Sequence, residues 1–194
     1  MSFRLLLLAA LAVAAPACTG EPVPTRTEEQ ALALAETAAG RLKGVLFTEM
    51  SRAIQAGEPA DAVEVCGGAA QKLSREVEQS AGFPVRRTAL KFRNPKNAPD
   101  DFERRWMETV AQSRAGDPAD PFWEVQEGKN GQELRYLDPL YVHTICLNCH
   151  GGAEVSDGVE SYLQEHYPED RARGFSAGDF RGVVTVRVPF QAPE

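Results

Sequence analysis

The chain has 194 residues and carries 21 Lys and Arg residues against 28 Asp and Glu residues, a formal net charge of −7. An acidic chain with no basic block is a poor candidate for nucleic-acid binding. The length suits one domain with a real hydrophobic core, and no apolar run after the first residues is long enough to span a membrane.

The first seventeen residues predict export. Arg4 supplies a minimal positive charge, and Leu5 to Ala15 form an apolar stretch that is too short for a membrane span. We therefore expect residues 1–17 to be a signal peptide and the protein to be periplasmic or otherwise extracytoplasmic. Cys18 follows the small residues of the cleavage site, as in a lipoprotein, although Pro16 departs from the usual lipobox. Simple export and a lipid anchor at Cys18 both remain open.

Residues 18–26 are polar and rich in proline, which predicts a short tether before one domain over residues 27–194. A long helix is expected from Thr27 to about Gly57. A second helix is expected to begin near Pro59, because proline is favoured in the first helical turn. The apolar residues of this second helix predict one buried face, which contains Ala62, Val65, Cys66, Ala69, Leu73 and Val77.

The middle of the chain reads as a strand, a turn and a third helix. Phe83 to Arg93 predicts a strand that ends at the turn-forming residues 94–97. Asp100 with Glu103 is typical of a capping box at the start of a helix.

The rest of the chain predicts antiparallel strands around one short helix. Phe122 to Glu127 and Glu133 to Leu137 are expected to form a hairpin. A helix over Ser161 to His166 precedes a last strand, Gly182 to Phe190, in which valines alternate with polar residues. Helices followed by an antiparallel sheet indicate one α+β domain.

The run Cys146-Leu147-Asn148-Cys149-His150 carries the strongest chemical signal. Two cysteines three residues apart lie on one side of a helical turn and suit thioether bonds to the two vinyl groups of one haem c. The histidine that follows them is directed at the iron. Haem c is assembled outside the cytoplasm, so the export signal supports this interpretation. We therefore expect one covalently attached haem c on Cys146 and Cys149, with His150 as an iron ligand.

The second axial ligand has several candidates. Cys66 is left over in an exported chain, and two helical glycines follow it, each costing about 1 kcal/mol relative to alanine. Close approach of a flat porphyrin would explain the glycines, and thiolate is a good iron ligand. A buried, inert cysteine beside a helix kink is the simpler alternative. The second axial position could also be open or bound to water. Four other side chains are further candidates for the ligand: Met50, Met107, His143 and His166.

Basic residues crowd the predicted strand before the Asn-Pro turn. Arg87, Lys91 and Arg93 would share one face of a strand with a period of two. Haem propionates need cationic or hydrogen-bonding partners, so these three are candidates to bind the cofactor. A solvated strand face is the alternative.

The chain resembles the PAS-like c-type haem domain family, which was long described only as a domain of unknown function. The resemblance extends from about Ala31 to Phe190 and rests on the segments AVEVCGGAA, RRTALKFRNPKNAPD, YLDPLYVHTICLNCHGG and YPEDRARGFSAGDFRGVVTVRVPF. It implies a PAS-like fold in which helices flank a five-stranded antiparallel sheet. It also implies that Cys66 and His150 ligate the iron from opposite sides.

His/Cys ligation would make the iron low-spin, closed to substrate at rest and low in reduction potential. We therefore expect a non-enzymatic monohaem cytochrome that acts as a redox sensor and signals to an unidentified redox or signalling protein. A simple electron-transfer cytochrome is the main alternative. A diatomic gas sensor and a haem enzyme that oxidises sulfur compounds are further alternatives, and the chain has no evident substrate-binding constellation for the latter.

Overall fold

The computed structural model describes residues 23–57, 59–112 and 118–193. Within the helix Pro59–Ala81, it describes none of the side chains at positions 59–62 and 64–68. The predicted signal peptide, Cys18, most of the predicted tether and the side chain of Cys66 therefore lie outside the description. No helix in the described part is long and apolar enough to cross a membrane.

Two long helices open the domain, as predicted. Helix α1 spans Glu28–Ala56. Thr27 caps it by accepting a hydrogen bond from the backbone of Gln30, whose side chain accepts one from Thr27 in return. Helix α2 spans Pro59–Ala81 and begins with the proline that predicted its start. It packs against α1 and, further along the chain, against β1 (Val85–Thr88), α4 (Leu147–His150) and α5 (Asp157–His166).

Four strands form one antiparallel sheet in the order β1-β4-β3-β2. They are β1 (Val85–Thr88), β2 (Phe122–Gly128), β3 (Gly131–Tyr141) and β4 (Phe180–Phe190). Hairpin β2–β3 turns through Lys129 and Asn130, between the paired glycines 128 and 131. The α+β, PAS-like class is confirmed, but the described residues hold four strands where the resemblance implied five.

Strand β1 is much shorter than predicted. Pairing with β4 stops at Thr88, whose hydroxyl donates to the carbonyl of Asn97 at 3.0 Å. The amide of Ala89 also donates to Asn97 rather than to the sheet. The chain leaves the sheet because the 3₁₀ turn Pro95–Asn97 supplies the next hydrogen-bond partner. The period-two argument for Lys91 and Arg93 was therefore wrong.

The remaining helices are α3 (Asp101–Gln112), α4 (Leu147–His150) and α5 (Asp157–His166). The capping box predicted for α3 is present, since Asp100 and Glu103 each accept the other's backbone N–H at 2.9 Å. Helix α5 begins before the predicted Ser161 because Ser156 caps it.

The sheet is covered on both faces. On one face, valines of β4 pack against an alanine-rich stripe of α1, with neighbours from α2, β1 and β3. The residues that α1 and β4 contribute to this core are Ala31, Ala35, Ala38, Ala39, Leu42, Val184, Val186 and Val188. On the other face, α3 packs Phe102 and Met107 against Leu137 and Val183. The small alanines bring the α1 backbone close to the sheet, and the C-terminal half of α1 after Leu42 holds only exposed or half-buried residues.

Candidate cofactor site

The two cysteines of the CxxCH run lie on one short helical turn. A 3₁₀ turn, Thr144–Cys146, leads directly into α4. The amide of Cys146 donates to the carbonyl of His143 at 2.8 Å, and that of Gly151 donates to Leu147 at 2.9 Å. Both Cys146 and Cys149 are thiols outside any disulfide in the described part of the chain, and both are partly exposed. The turn therefore presents both sulfurs where a planar ligand can reach them.

His150 is held in one orientation. Its Nδ1–H donates a hydrogen bond of 2.8 Å to the carbonyl of Ala172. The other ring nitrogen, Nε2, is then the unprotonated one and has a lone pair available for a metal. Burial, together with the charges of Arg181 and Arg93, holds the pKa of His150 well below its usual value. The imidazole is thus neutral at neutral pH, which is the form that binds iron.

Arg93 joins the loop after β1 to the CxxCH turn. Its Nη2 donates to the carbonyl of Cys149 at 2.5 Å, and its Nε donates to Asp170 at 3.1 Å. Burial lowers the pKa of Arg93. The same Nη2 lies 3.4 Å from Nδ1 of His150, but Nδ1 already donates to Ala172, so Arg93 acts there as a nearby positive charge.

Lys91 and Arg87 also belong to the surroundings of His150, Lys91 from the loop after β1 and Arg87 from β1 itself. Nζ of Lys91 donates to the carbonyl of Arg173 at 2.5 Å and lies 4.4 Å from the ring centre of Phe175. That ring in turn meets His150 edge-on, with centroids 6.3 Å apart. Arg87 pairs with Val184 of β4, and its charge also lowers the pKa of His150. The loop after Thr88 therefore brings Lys91 and Arg93 toward His150, while Arg87 is placed by β1.

Arg181, at the start of β4, belongs to this cluster and was missed by the sequence analysis. Its Nη1 donates to the carbonyl of Lys91 at 3.1 Å, and its guanidinium lies 5.3 Å from the ring centre of Phe175. Burial, with the charges of Arg87 and Arg93, lowers the pKa of Arg181 to about 10. The available signal was an arginine directly before the predicted valine-rich strand, but its approach to His150 depends on the tertiary fold.

Cys66 lies on α2, and its side chain is not among those that the structure describes. The most buried side chains described in α2 are Val63, Ala70 and Val77. Val63 belongs to a cluster with Val159 and Leu163 of α5, against which Cys149 also packs. Cys66 lies about 60° around the helix from Val63. Of the predicted buried face of α2, Val77 is buried and Ala69 and Leu73 are half-buried, while the side chains of Ala62, Val65 and Cys66 lie outside the description.

The other ligand candidates are scattered. Met107 is fully buried under α3, on the sheet face opposite α1. His166 is exposed and stacks on Tyr162, with ring centroids 4.0 Å apart. His143 is exposed and packs edge-on against Phe47, while Met50 is half-buried on α1. Across the described ranges, no three His, Cys, Asp or Glu side chains group as a site for a bare metal ion.

Comparison with known proteins is decisive for the family. Residues 24–189 match the model of the Tll0287-like family. The chain belongs to this family. Its fold is similar to the crystal structure of the cyanobacterial haem protein Tll0287, with 27% sequence identity and a TM-score of 0.63. That match covers 84% of this chain and 97% of the other, and no curated protein matches the chain. Membership of the family confirms the resemblance drawn from the sequence motifs.

Proposed function

We propose that this protein is an extracytoplasmic monohaem c-type cytochrome, held by Cys146 and Cys149, with His150 and Cys66 as axial ligands, and that it acts as a redox sensor. The similar structure is that of a haem protein. The observation that carries the proposal for this chain is the fixed tautomer of His150, whose Nδ1–H is engaged by Ala172 beside two partly exposed thiols.

Cys146 and Cys149 would hold the haem through its two vinyl groups. Each thiol would add across one vinyl group, so that one S–C bond would form and the thiol hydrogen would pass to the other vinyl carbon. No oxidant or reductant is consumed. Cys146 and Cys149 lie three residues apart on one turn, which sets the spacing of the two thioether bonds.

The cations around His150 suit the two carboxylates of haem. Nη2 of Arg93 lies 3.4 Å from Nδ1 of His150, and burial, together with the charges of Arg181, Arg93 and Arg87, lowers the pKa of that imidazole. Arg93 also pairs with Asp170 at 3.1 Å, and Arg181 donates to the carbonyl of Lys91 at 3.1 Å. Clustered cations that are partly buried are costly unless anions approach them, and guanidinium groups bind carboxylates in a bidentate manner. We assign Arg87, Lys91, Arg93 and Arg181 to binding the propionates.

The sensing role rests on the place of Cys66 in α2. Bound haem c supplies an iron that cycles between ferric and ferrous states, and a thiolate ligand favours the ferric state. Cys66 is carried by a helix that packs on α1, β1, α4 and α5. Any change in the bond that the Cys66 sulfur makes is therefore transmitted to several elements at once. A movement of α2 would be the signal to a partner protein.

The test is optical and EPR spectroscopy of the purified holoprotein and of Cys66→Ala, each in both oxidation states. We expect a low-spin thiolate signature in the ferric protein that is lost in the variant. Sensing further requires that the ligation of the wild type changes on reduction. A wild type with identical ligation in both states would instead be an electron carrier.

The control variants are Met50→Leu and His143→Ala. Both residues remained candidates from the sequence, and both lie outside the cluster around His150 in the described structure. If either control removed the low-spin signature while Cys66→Ala kept it, the assignment of Cys66 would be wrong. Sequencing of the mature N-terminus and its mass would show whether cleavage precedes Cys18 and whether a lipid is attached.

A further inference from the structure

A single carboxylate ties together the segments that surround His150. The side chain of Asp170 is 6% exposed. Its Oδ1 accepts the backbone N–H of Ala172 at 2.8 Å. Its Oδ2 accepts from Nε of Arg93 at 3.1 Å and from Nε of Arg173 at 2.9 Å. Both oxygens are thus engaged, by one backbone amide and two guanidinium groups.

Two of these three bonds lead directly to the CxxCH turn. Ala172, whose amide is held by Asp170, offers its own carbonyl to the Nδ1–H of His150 at 2.8 Å. Arg93, whose Nε is held by Asp170, donates through Nη2 to the carbonyl of Cys149 at 2.5 Å. The carboxylate therefore sets both the acceptor that orients the imidazole and the donor that holds the turn next to it.

The third bond extends the same network to α5. Arg173 donates to Asp170 and also pairs with Glu160 of α5 at 2.6 Å. The carbonyl of Arg173 accepts from Nζ of Lys91 at 2.5 Å. The loop that begins at Asp170 is thus fixed from α5 on one side and from the loop after β1 on the other.

We propose that Asp170 is the positioning residue for His150: its carboxylate fixes the Ala172 carbonyl that orients the imidazole and the Arg93 side chain that holds the Cys149 carbonyl. The inference rests on the proposed function, because a ligand to iron is what His150 would be positioned for. Groups that orient a metal-bound histidine set its tautomer and its strength as a ligand, and their loss commonly costs 10- to 100-fold in metal affinity or activity.

Two variants separate the two tasks of Asp170. Asp170→Asn keeps an oxygen that can accept the Ala172 amide but removes the negative charge opposite Arg93 and Arg173. Asp170→Ala removes both. Asp179→Asn is the matched control, since Asp179 lies in the same segment and accepts only the backbone N–H of Ser176 among the hydrogen bonds described for its side chain.

The variants are compared as holoproteins by haem staining on denaturing gels, EPR and redox titration. We expect covalent haem in all of them. Asp170→Ala should show a ferric high-spin fraction that is absent from the wild type, and its midpoint potential should be shifted. Asp170→Asn should show a smaller change in both properties. Asp179→Asn should change neither. An Asp170→Ala protein with the spectrum and potential of the wild type would overturn the inference.

A measurement on the wild type keeps the test valid if the Asp170 variants fail to fold. In the ferrous carbon monoxide adduct, which is diamagnetic, the Nδ1 proton of His150 should exchange slowly with solvent, as expected for a donor held by the Ala172 carbonyl. Rapid exchange of that proton would contradict the inference. A wild type without covalent haem would instead contradict the proposed function, so the two failures are distinguishable.

Discussion

The Nδ1–H of His150 donates to the carbonyl of Ala172, a residue 22 positions later in the chain, at 2.8 Å. Two backbone bonds of 3.0 Å join the same segments, from the amide of Gly174 to Gly151 and from the amide of Phe175 to His150. The imidazole is therefore oriented by a loop that lies between α5 and β4. Recognition of the CxxCH motif identifies the histidine, while this loop decides which way its ring faces.

The first prediction concerns covalent attachment. Double substitution Cys146→Ala with Cys149→Ala should abolish peptide-linked haem, since these two thiols are the proposed attachment points. Haem staining of a denaturing gel is the measurement. Cys66→Ala is the matched control, and it should keep stained haem because axial coordination does not survive denaturation. If the stain were lost only in the Cys66 variant, the assignment of the covalent bonds to Cys146 and Cys149 would be wrong.

The second prediction concerns Glu103, a carboxylate of α3 that is 1% exposed. Its Oε2 accepts from Arg86 at 2.5 Å and from the backbone of Asp100 at 2.9 Å. Arg135, also buried, lies 3.6 Å from Oε1. Glu103→Gln should lower the free energy of unfolding by about 2 kcal/mol, because it removes the charge that Arg86 pairs with, while Arg135 keeps Asp100 as a partner at 2.6 Å.

Urea unfolding measures this change, with an unaltered m-value as evidence that the folded state is the same. Glu108→Gln is the control, because Glu108 is an exposed carboxylate on the same helix. Its effect should stay within about 0.5 kcal/mol. Equal effects of the two substitutions would mean that the buried pairs contribute nothing to stability.

The third prediction concerns Gly182, where β4 passes the end of β1. Its φ of +148° is unfavourable for other residues, and an added Cβ would overlap the carbonyl oxygen of Thr88 and lie 2.8 Å from the Cβ of Ala89. Gly182→Ala should therefore destabilise the protein by about 2–5 kcal/mol, from backbone strain and from overpacking.

Gly174→Ala separates these two causes. Gly174 also has a positive φ, of +68°, but nothing lies within 4 Å of an added Cβ. Only backbone strain remains there, so the expected loss is about 1 kcal/mol. Thermal unfolding of both variants is the measurement. A Gly182→Ala protein as stable as Gly174→Ala would show that the contact with Thr88 relaxes freely.

The fourth prediction concerns acid stability. Burial alone would raise the pKa of Asp100, but the backbone N–H of Glu103 and the Arg135 guanidinium outweigh it, so the pKa is lowered. A lowered folded-state pKa contributes stability that is complete above the unfolded value of about 3.9 and is lost as the pH falls through the folded value. Asp100→Asn should therefore lose less stability than the wild type as the pH falls below about 4, because the variant has no carboxylate to protonate at this position.

Unfolding free energies measured across this pH range test the idea, with Asp101→Asn as control. Asp101 is the next residue along the chain and is exposed. If Asp100→Asn made the unfolding free energy fall more steeply with decreasing pH, or if both substitutions reduced that fall equally, the assignment to Asp100 would be contradicted.

Local patterns predicted the parts of the fold that depend on near neighbours. They include the start of α1 after Thr27, the proline start of α2, the capping box of Asp100 and Glu103, and the turn between β2 and β3, all of which involve residues a few positions apart. The end of β1 escaped prediction, because it is set by Asn97 competing for the Thr88 hydroxyl and the Ala89 amide.

The site divides in the same way. By itself, the sequence determined the chemical parts: two thiols and an imidazole on one turn, a leftover cysteine on a helix, and a set of arginines. Only the tertiary structure brought Arg181 to Lys91, Asp170 to Arg93 and Ala172 to His150. The physical reason is that bond spacing along a helix or strand repeats within a few residues. Contacts across tens of residues depend on how the loops after β1 and α5 pack, and no local period encodes that packing.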